Sequence, residues 1–286
     1  QLKFLLQDIS FFTYANISQT LPRKIMITIE PLYDKKHIDF LEKLWGDGYL
    51  SPGGEEEVRR LLKNIDLSNK IILDIGCGSG GITTSLITAY KAKKVIGIDV
   101  EGDVCRAARF RVANSGLQNK IDILQVSPGK LPFKDFKFDI VFSKDSIVHI
   151  ADKEFLSKEI FRILKSGGTF VCSDWLRSHD GKPSAEMIHY LKLEDLNFDM
   201  ASPSRYEVAL SKAGFKDIIF ISRNQWYLEQ AKKEVNILST LKRGEFEKIF
   251  SKKYMDLTVE TWWAMIKVLE TGEHCPHHIR CTKPNI

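Results

Sequence analysis

Short apolar runs alternate with amphipathic stretches through the middle of the chain. An apolar run bounded by polar or glycine-rich residues predicts a buried strand, and apolar residues that recur every three or four positions predict a helix. Strands are predicted at 71–75, 95–100, 121–126, 138–143, 169–173 and 217–221. Helical patterns separate most of these strands, which is typical of βα units with a parallel sheet. Residues 35–222 therefore predict an α/β fold.

The segments after the fourth strand carry further predictions. A helix through residues 155–164 is expected to stop at 165–168, where Lys-Ser-Gly-Gly forms a basic last turn followed by glycine. The polar segment 174–204 exceeds an ordinary connection, and loops of that size are usually lids or substrate-binding elements. Residues 226–269 have a helical pattern, and residues 277–282 are compatible with a final edge strand.

The length of the chain limits the number of domains that it is able to form. The 286 residues suffice for one large α/β domain or two small ones. We expect one domain over residues 26–286, with a lid insertion at about 175–205 and a helical C-terminal region at about 226–286. Residues 1–25 are expected to be an N-terminal extension that need not be native, since Met26 would serve as a start.

Composition and charge exclude several classes of function. The net charge of +5 is mild and the basic residues are scattered, whereas nucleic-acid binding favours a concentrated basic face. No apolar run approaches the roughly 18 residues that a membrane span needs. Five cysteines without metal-type spacing favour reduced thiols in a cytoplasmic protein. Residues 274–278, which include three histidines, match no tetrahedral ligand set, so we expect a surface turn rather than a metal site.

A glycine-rich turn follows the first predicted strand. Gly76, Gly78 and Gly81 lie in it, and Asp99 ends the second strand. Glycine lets a backbone turn sharply and approach a ligand closely, and an acid at the second strand's end accepts both hydroxyls of a ribose. The three glycines and Asp99 fit the dinucleotide fingerprint, in which the acid follows by roughly 20 residues.

Asp74, two residues before the first glycine, distinguishes two ligands for this turn. Its carboxylate would repel the pyrophosphate of a dinucleotide but attract the ammonium of an amino acid, directly or through water. S-adenosylmethionine carries a ribose and an amino-acid ammonium but no phosphate. We therefore favour S-adenosylmethionine over a dinucleotide, and a glycine turn without a ligand is the remaining alternative.

A second constellation follows the fourth strand. The carboxyl ends of strands in an open α/β sheet face the ligand crevice, and Asp145 and His149 lie there four positions apart. A histidine that titrates near neutral pH is able to accept a proton from an amine that is being methylated. The alternative is that Asp145 caps a helix and His149 packs at the surface. Trp175, just past the fifth strand, is well placed to contact a cationic amine.

These residues resemble the class I S-adenosylmethionine-dependent methyltransferases, and more closely the phosphoethanolamine N-methyltransferases. Three stretches carry the resemblance: 46–54 (GDGYLSPGG), 143–153 and 164–175. The resemblance covers about residues 32–222. It implies a Rossmann-like, seven-stranded, mostly parallel sheet with helices on both faces and a helical lid between strands five and six.

The resemblance also implies roles for individual residues. Tyr33 pairs with His149 to close the site and orient the base, and Asp145 lies beside the acceptor. Trp175 and Tyr190 contact the acceptor. The residues implied in binding S-adenosylmethionine are Ser51, Asp74, Gly76, Gly78, Asp99, Val100, Ser127 and Lys144.

The expected function is S-adenosylmethionine-dependent N-methylation of a small amine such as phosphoethanolamine, without a metal. In that family a lid arginine holds the phosphate, and Glu194 stands at the matching position here. Three alternatives stay open: a sarcosine- or dimethylglycine-type N-methyltransferase, another small-molecule O- or C-methyltransferase, or a non-catalytic nucleoside-binding regulatory protein. The acid and the base at the rim favour an enzyme, because a binding module needs neither.

Overall fold

A seven-stranded sheet organises residues 33–285, the part of the chain that this computed structural model describes. The expected extension over residues 1–25 lies outside the described residues. In chain order the strands are β1 (Ile71–Ile75), β2 (Lys94–Asp99), β3 (Ile121–Gln125), β4 (Phe138–Lys144), β5 (Leu164–Asp174), β6 (Lys216–Ser222) and β7 (His277–Thr282). Their order across the sheet is β3-β2-β1-β4-β5-β7-β6, with β7 antiparallel to both neighbours and the other pairs parallel. The predicted seven-stranded, mostly parallel sheet is confirmed.

Helices cover the faces and one end of this sheet. They are α1 (Lys35–Trp45), α2 (Gly54–Leu61), α3 (Gly81–Thr88), α4 (Gly102–Asn114), α5 (Lys153–Ile163), α6 (Ala185–Glu194), α7 (Pro203–Ala213), α8 (Asn224–Asn236), α9 (Arg243–Phe250) and α10 (Lys252–Glu270). Side-chain caps begin several of them; Asp152, for example, accepts a hydrogen bond of 2.7 Å from the Phe155 amide at the start of α5. None of the helices in residues 33–285 combines the length and the apolar character that a membrane crossing needs.

The sheet is buried on both faces because successive strand residues point to opposite sides. Leu73 of β1 packs in one apolar cluster with Val141 of β4. Its neighbour Ile72 packs in the other cluster with Ile140. The strands of a parallel sheet that is covered by helices on both faces have nearly continuous apolar sequences. This is why the strands were predictable from the sequence.

A third apolar cluster lies over the carboxyl ends of the strands. It joins α1, α6, α8, α9 and α10, and it includes Trp175 just past β5. The buried Glu234 carboxylate sits inside this cluster and accepts hydrogen bonds from Trp45 Nε1 at 2.8 Å and Trp262 Nε1 at 3.0 Å. Burial raises the pKa of Glu234 to about 7. The N-terminal helix and the C-terminal helices are therefore tied together above the sheet.

Three predictions about individual segments were wrong. Residues 165–168 do not end a helix: α5 stops at Ile163, and these residues bulge out of β5, whose first residue Leu164 is buried and pairs with Phe138. Residues 277–282 are an inner strand, because β7 carries fully buried side chains whereas β6 is largely exposed and takes the edge. Residues 274–278 are not a surface turn, since His274 is completely buried under the lid helix α6.

Candidate functional site

A cavity of about 440 Å³, here called the main cavity, opens at the carboxyl ends of β1, β2 and β4. It is more apolar than polar, which is typical of small-molecule sites. Ten of the thirteen predicted site residues line it: Tyr33, Ser51, Gly76, Gly78, Asp99, Val100, Ser127, Lys144, Asp145 and His149. Residues far apart in sequence are thus brought to one wall. Asp74, Trp175 and Tyr190 do not line this cavity.

The glycine turn after β1 forms the floor of the main cavity. Gly76 has a φ of +71°, and a Cβ at this position would lie 1.8 Å from Ser146 Oγ. The amides of Gly76 and Cys77 both donate to the Ile98 carbonyl, at 2.8 and 3.0 Å. The turn is therefore tied to β2, and because a side chain at Gly76 has no room, the backbone itself forms this part of the cavity surface.

Asp99 ends β2 beside this turn. Its carboxylate accepts hydrogen bonds from the Gly78 and Glu101 amides, each at 3.1 Å. Burial raises the pKa of Asp99. An ionised carboxylate accepts about four hydrogen bonds, so Asp99 retains capacity for ligand hydroxyls on the wall of the main cavity.

Asp74 lies one layer below the turn rather than facing the main cavity. Its side chain is buried and accepts a hydrogen bond of 2.6 Å from Thr83 Oγ1. Burial raises the pKa of Asp74 to about 7. The expectation that this acid faces the ligand is therefore not met in this structure, because β1 pleating turns the carboxylate toward α3.

Lys144 and Asp145 connect β4 to the glycine-rich segment before α2. Lys144 Nζ donates to Ser51 Oγ at 2.6 Å, to the Pro52 carbonyl at 2.9 Å and to Asp145 Oδ2 at 2.7 Å. Both charged side chains are almost fully buried. The Lys144 ammonium is thus held in place on the cavity wall, because all three of its hydrogens bond to protein acceptors.

The Asp145 carboxylate is held by two more donors, neither of which sequence reasoning identified. Ser173 Oγ donates to Asp145 Oδ1 at 2.6 Å, and Tyr227 Oη donates to Oδ2 at 2.7 Å. Asp145 itself has a φ of +53°, a strained backbone conformation for a residue with a side chain. Asp145 does not cap α5, because Asp152 does.

His149 and Tyr33 lie next to each other on the wall of the main cavity. His149 Nδ1 lies 2.9 Å from the Leu196 carbonyl, which only accepts, so Nδ1 carries the hydrogen and Nε2 presents its lone pair. Nε2 lies 3.5 Å from Tyr33 Oη. Burial lowers the pKa of His149, which keeps the imidazole neutral at neutral pH. The lid backbone therefore selects the tautomer that a general base requires.

Trp175 and Tyr190 lie behind this pair. The Trp175 ring is 5.5 Å from Phe198, and Phe198 is 5.2 Å from His149. Tyr190 of α6 stacks on His274 with ring centroids 5.7 Å apart. Both predicted acceptor residues are buried in the third apolar cluster.

The basic side chains near the lid either form an ion pair within the protein or are exposed to solvent. Arg205 pairs with Glu154 at 3.0 Å, and Lys192 and Lys267 are exposed to solvent. Burial raises the pKa of Glu194 to about 7, and the Tyr190 hydroxyl opposes this shift. In residues 33–285, Lys144 is the cation on the wall of the main cavity, and it already binds three protein acceptors.

Comparison with known proteins agrees with this geometry. Residues 73–172 match the methyltransferase domain family. The chain is 31% identical over 233 residues to phosphoethanolamine N-methyltransferase 1 of Zea mays, covering 81% of this chain and 45% of the maize protein. It is 27% identical over 243 residues to phosphoethanolamine N-methyltransferase of Plasmodium falciparum, covering 82% and 87%. The chain thus spans about half the length of the plant relatives it matches.

A solved structure agrees over a longer stretch. Phosphoethanolamine N-methyltransferase 2 of Haemonchus contortus, in complex with phosphomonomethylethanolamine and S-adenosylhomocysteine, superposes with a TM-score of 0.81 at 25% identity. The match covers 88% of this chain and 59% of that one. The family resemblance inferred from the sequence motifs is confirmed.

Proposed function

We propose that this chain is a class I S-adenosylmethionine-dependent methyltransferase that transfers a methyl group from S-adenosylmethionine to the nitrogen of phosphoethanolamine. The observation that carries the proposal is the pairing of His149 Nε2 with Tyr33 Oη at 3.5 Å on the wall of the main cavity. The similar proteins of maize and Plasmodium falciparum support the acceptor.

The donor fits the main cavity on three grounds. The backbone of Gly76 and Gly78 approaches the cavity where a Cβ has no room or meets Leu50 at 3.3 Å. Asp99 offers acceptors for the two ribose hydroxyls, and the apolar wall at Val100 suits the adenine. S-adenosylmethionine supplies an electrophilic methyl carbon bonded to a sulfonium sulfur.

The chain's own residues then position the amine and remove its proton. The amine nitrogen forms a bond to the methyl carbon while the carbon–sulfur bond breaks, and its extra proton passes to His149 Nε2. Tyr33 closes the opening above the acceptor, and the Asp145 carboxylate stabilises the developing ammonium beside it. Such a displacement depends mainly on orientation and exclusion of water.

A methyl-transfer assay tests this proposal. The purified chain is incubated with labelled S-adenosylmethionine and with phosphoethanolamine, its monomethyl and dimethyl forms, ethanolamine, sarcosine or dimethylglycine. We expect turnover with the phosphorylated amines. A preference for sarcosine or dimethylglycine, or no transfer to any amine, would contradict the proposal.

A histidine variant tests the base. His149→Asn is expected to lower the transfer rate by about 10²–10⁴-fold, the usual contribution of a positioned base, while S-adenosylmethionine affinity stays the same. His179→Asn is the matched control, because His179 is exposed and remote from the main cavity. Equal rates in His149→Asn and the parent would remove His149 from the reaction.

A further inference from the structure

Unsatisfied buried polar atoms are concentrated beside the main cavity. Within residues 33–285, the buried side-chain nitrogen and oxygen atoms that make no hydrogen bond of normal geometry belong to Asp174, Trp175, Tyr190 and His274. A buried polar atom without a partner is destabilising, because it has lost its hydrogen bonds to water and gained none in the protein. The donors among them, on Trp175, Tyr190 and His274, are compatible with a ligand that supplies acceptors.

His274 belongs to the histidine-containing segment 274–278, for which the sequence predicted a surface turn. It is 0% exposed, and both of its ring nitrogens lack a partner. Its ring is stacked on Tyr190 and lies 5.2 Å from the Trp175 ring. Two backbone hydrogen bonds fix the position of His274. Its amide donates to the Val268 carbonyl at 3.0 Å, and its carbonyl accepts from Asn224 Nδ2 at 2.7 Å. The ring is thus held firmly while its polar atoms remain free.

The group lies directly behind the reacting residues. The Trp175 ring packs against Phe198, and Phe198 packs against His149. The Trp175 ring also lies near Tyr227, with 6.2 Å between the ring centroids. Tyr227 in turn donates to Asp145. One aromatic ring, Phe198, therefore separates Trp175 from His149, and another, Tyr227, separates it from Asp145.

We propose that His274 is a phosphate-binding residue of the acceptor site, donating an imidazole N–H to the acceptor phosphate together with Trp175 Nε1–H and the Tyr190 hydroxyl. This inference rests on the proposed function. The ligand class is a phosphomonoester of a small amine. Three uncharged donors, from the residue after β5, from α6 and from the segment before β7, take the place of a cationic phosphate site.

The two nearby carboxyl groups are compatible with an anion. Burial raises the pKa of Asp174 to about 7, against the opposing charge of Lys153, and burial also raises the pKa of Glu194 to about 7. A phosphate beside them favours their protonated forms, which donate hydrogen bonds rather than repel. Burial lowers the pKa of His274 to about 3, so the imidazole is neutral and donates through the single N–H that it carries.

The decisive variant is His274→Phe, which keeps a ring for stacking and removes both nitrogens. We expect KM for phosphoethanolamine to rise about 10–100-fold, as for loss of a hydrogen bond to a charged group. Calorimetric affinity for S-adenosylhomocysteine should not change, and inorganic phosphate should lose its ability to compete with the acceptor. Thermal stability should be equal or higher, because no unpaired nitrogen stays buried.

Two further variants keep the test conclusive. Trp175→Phe removes one donor and should raise the same KM without affecting the donor substrate. His277→Phe is the matched control, since His277 Nδ1 already bonds the Cys275 carbonyl at 2.7 Å. If the parent methylates phosphoethanolamine and both His274→Phe and Trp175→Phe keep its KM within twofold, the inference is wrong. If the parent methylates no phosphorylated amine, the proposed function itself fails.

Discussion

Removing one hydroxyl far from the sequence motifs should slow the proposed reaction. Tyr227 of α8 donates to Asp145 Oδ2 at 2.7 Å, and Tyr227→Phe deletes this bond while leaving the ring in place. Asp145 is almost fully buried and has a strained backbone, so its carboxylate depends on its remaining donors, Ser173 and Lys144, for orientation. Tyr227 is therefore a positioning residue for Asp145.

The expected magnitude follows from the character of this bond. Hydrogen bonds to charged groups contribute about 1.5–3 kcal/mol. If the bond supports the transition state, kcat should fall by about 10–100-fold, since every 1.4 kcal/mol is a factor of ten. KM for the acceptor should change less than kcat, because the hydroxyl points at the carboxylate rather than into the main cavity.

Steady-state kinetics with phosphoethanolamine and calorimetry with S-adenosylhomocysteine provide the measurement. Tyr254→Phe is the control: this hydroxyl belongs to another helix of the same cluster, and among the described residues its hydrogen-bond contact is a long one, 3.5 Å to His37 Nδ1. The reasoning is refuted if Tyr227→Phe and Tyr254→Phe have the same kcat as the parent while both remain folded by circular dichroism.

Two further predictions concern donor binding and acid stability. Asp99→Ala should weaken S-adenosylmethionine by roughly 1.5–3 kcal/mol in calorimetry, because the ribose hydroxyls lose their charged acceptor; unchanged affinity would remove Asp99 from the site. Burial alone would raise the pKa of Glu57, but hydrogen bonds from His278 and Arg223 outweigh it and lower the pKa to about 2. Its ordinary value is 4.5, so the stabilisation is present above that pH and is lost as the pH falls toward 2. Urea unfolding at pH 7 and pH 3 should show a larger loss for the parent than for Glu57→Gln, whereas the exposed Glu56→Gln should behave like the parent.

Local pattern predicted the parallel half of the sheet accurately. The predicted first strand has the bounds of β1, and the predicted fourth strand differs from β4 by one residue. Both strands are continuous apolar runs that are buried on two faces, so the run of apolar residues alone is enough to predict where each strand begins and ends. The bulge at 165–168 was missed because a basic residue before two glycines is equally typical of a helix end, and only the pairing of Leu164 with Phe138 distinguishes the two.

The acceptor side of the site depended on long-range packing. The resemblance of the motifs predicts that Tyr33 pairs with His149, although 116 positions separate them in the sequence. In the structure Tyr33 Oη lies 3.5 Å from His149 Nε2. Tyr227 had no such signal, and the histidine-containing segment 274–278 was assigned to a surface turn because nothing in the neighbouring sequence indicates that His274 is buried.

The sequence by itself determined the α/β class, the glycine turn and the positions of Asp145 and His149 after β4, since each is encoded in a few consecutive residues. The tertiary structure decided the rest: β7 enters between β5 and β6, and α8 packs over the end of β4. These two placements bring His274 beside Trp175 and Tyr227 against Asp145. Local periodicity specifies which face of an element is buried, whereas the pairing of distant elements specifies which buried polar groups meet.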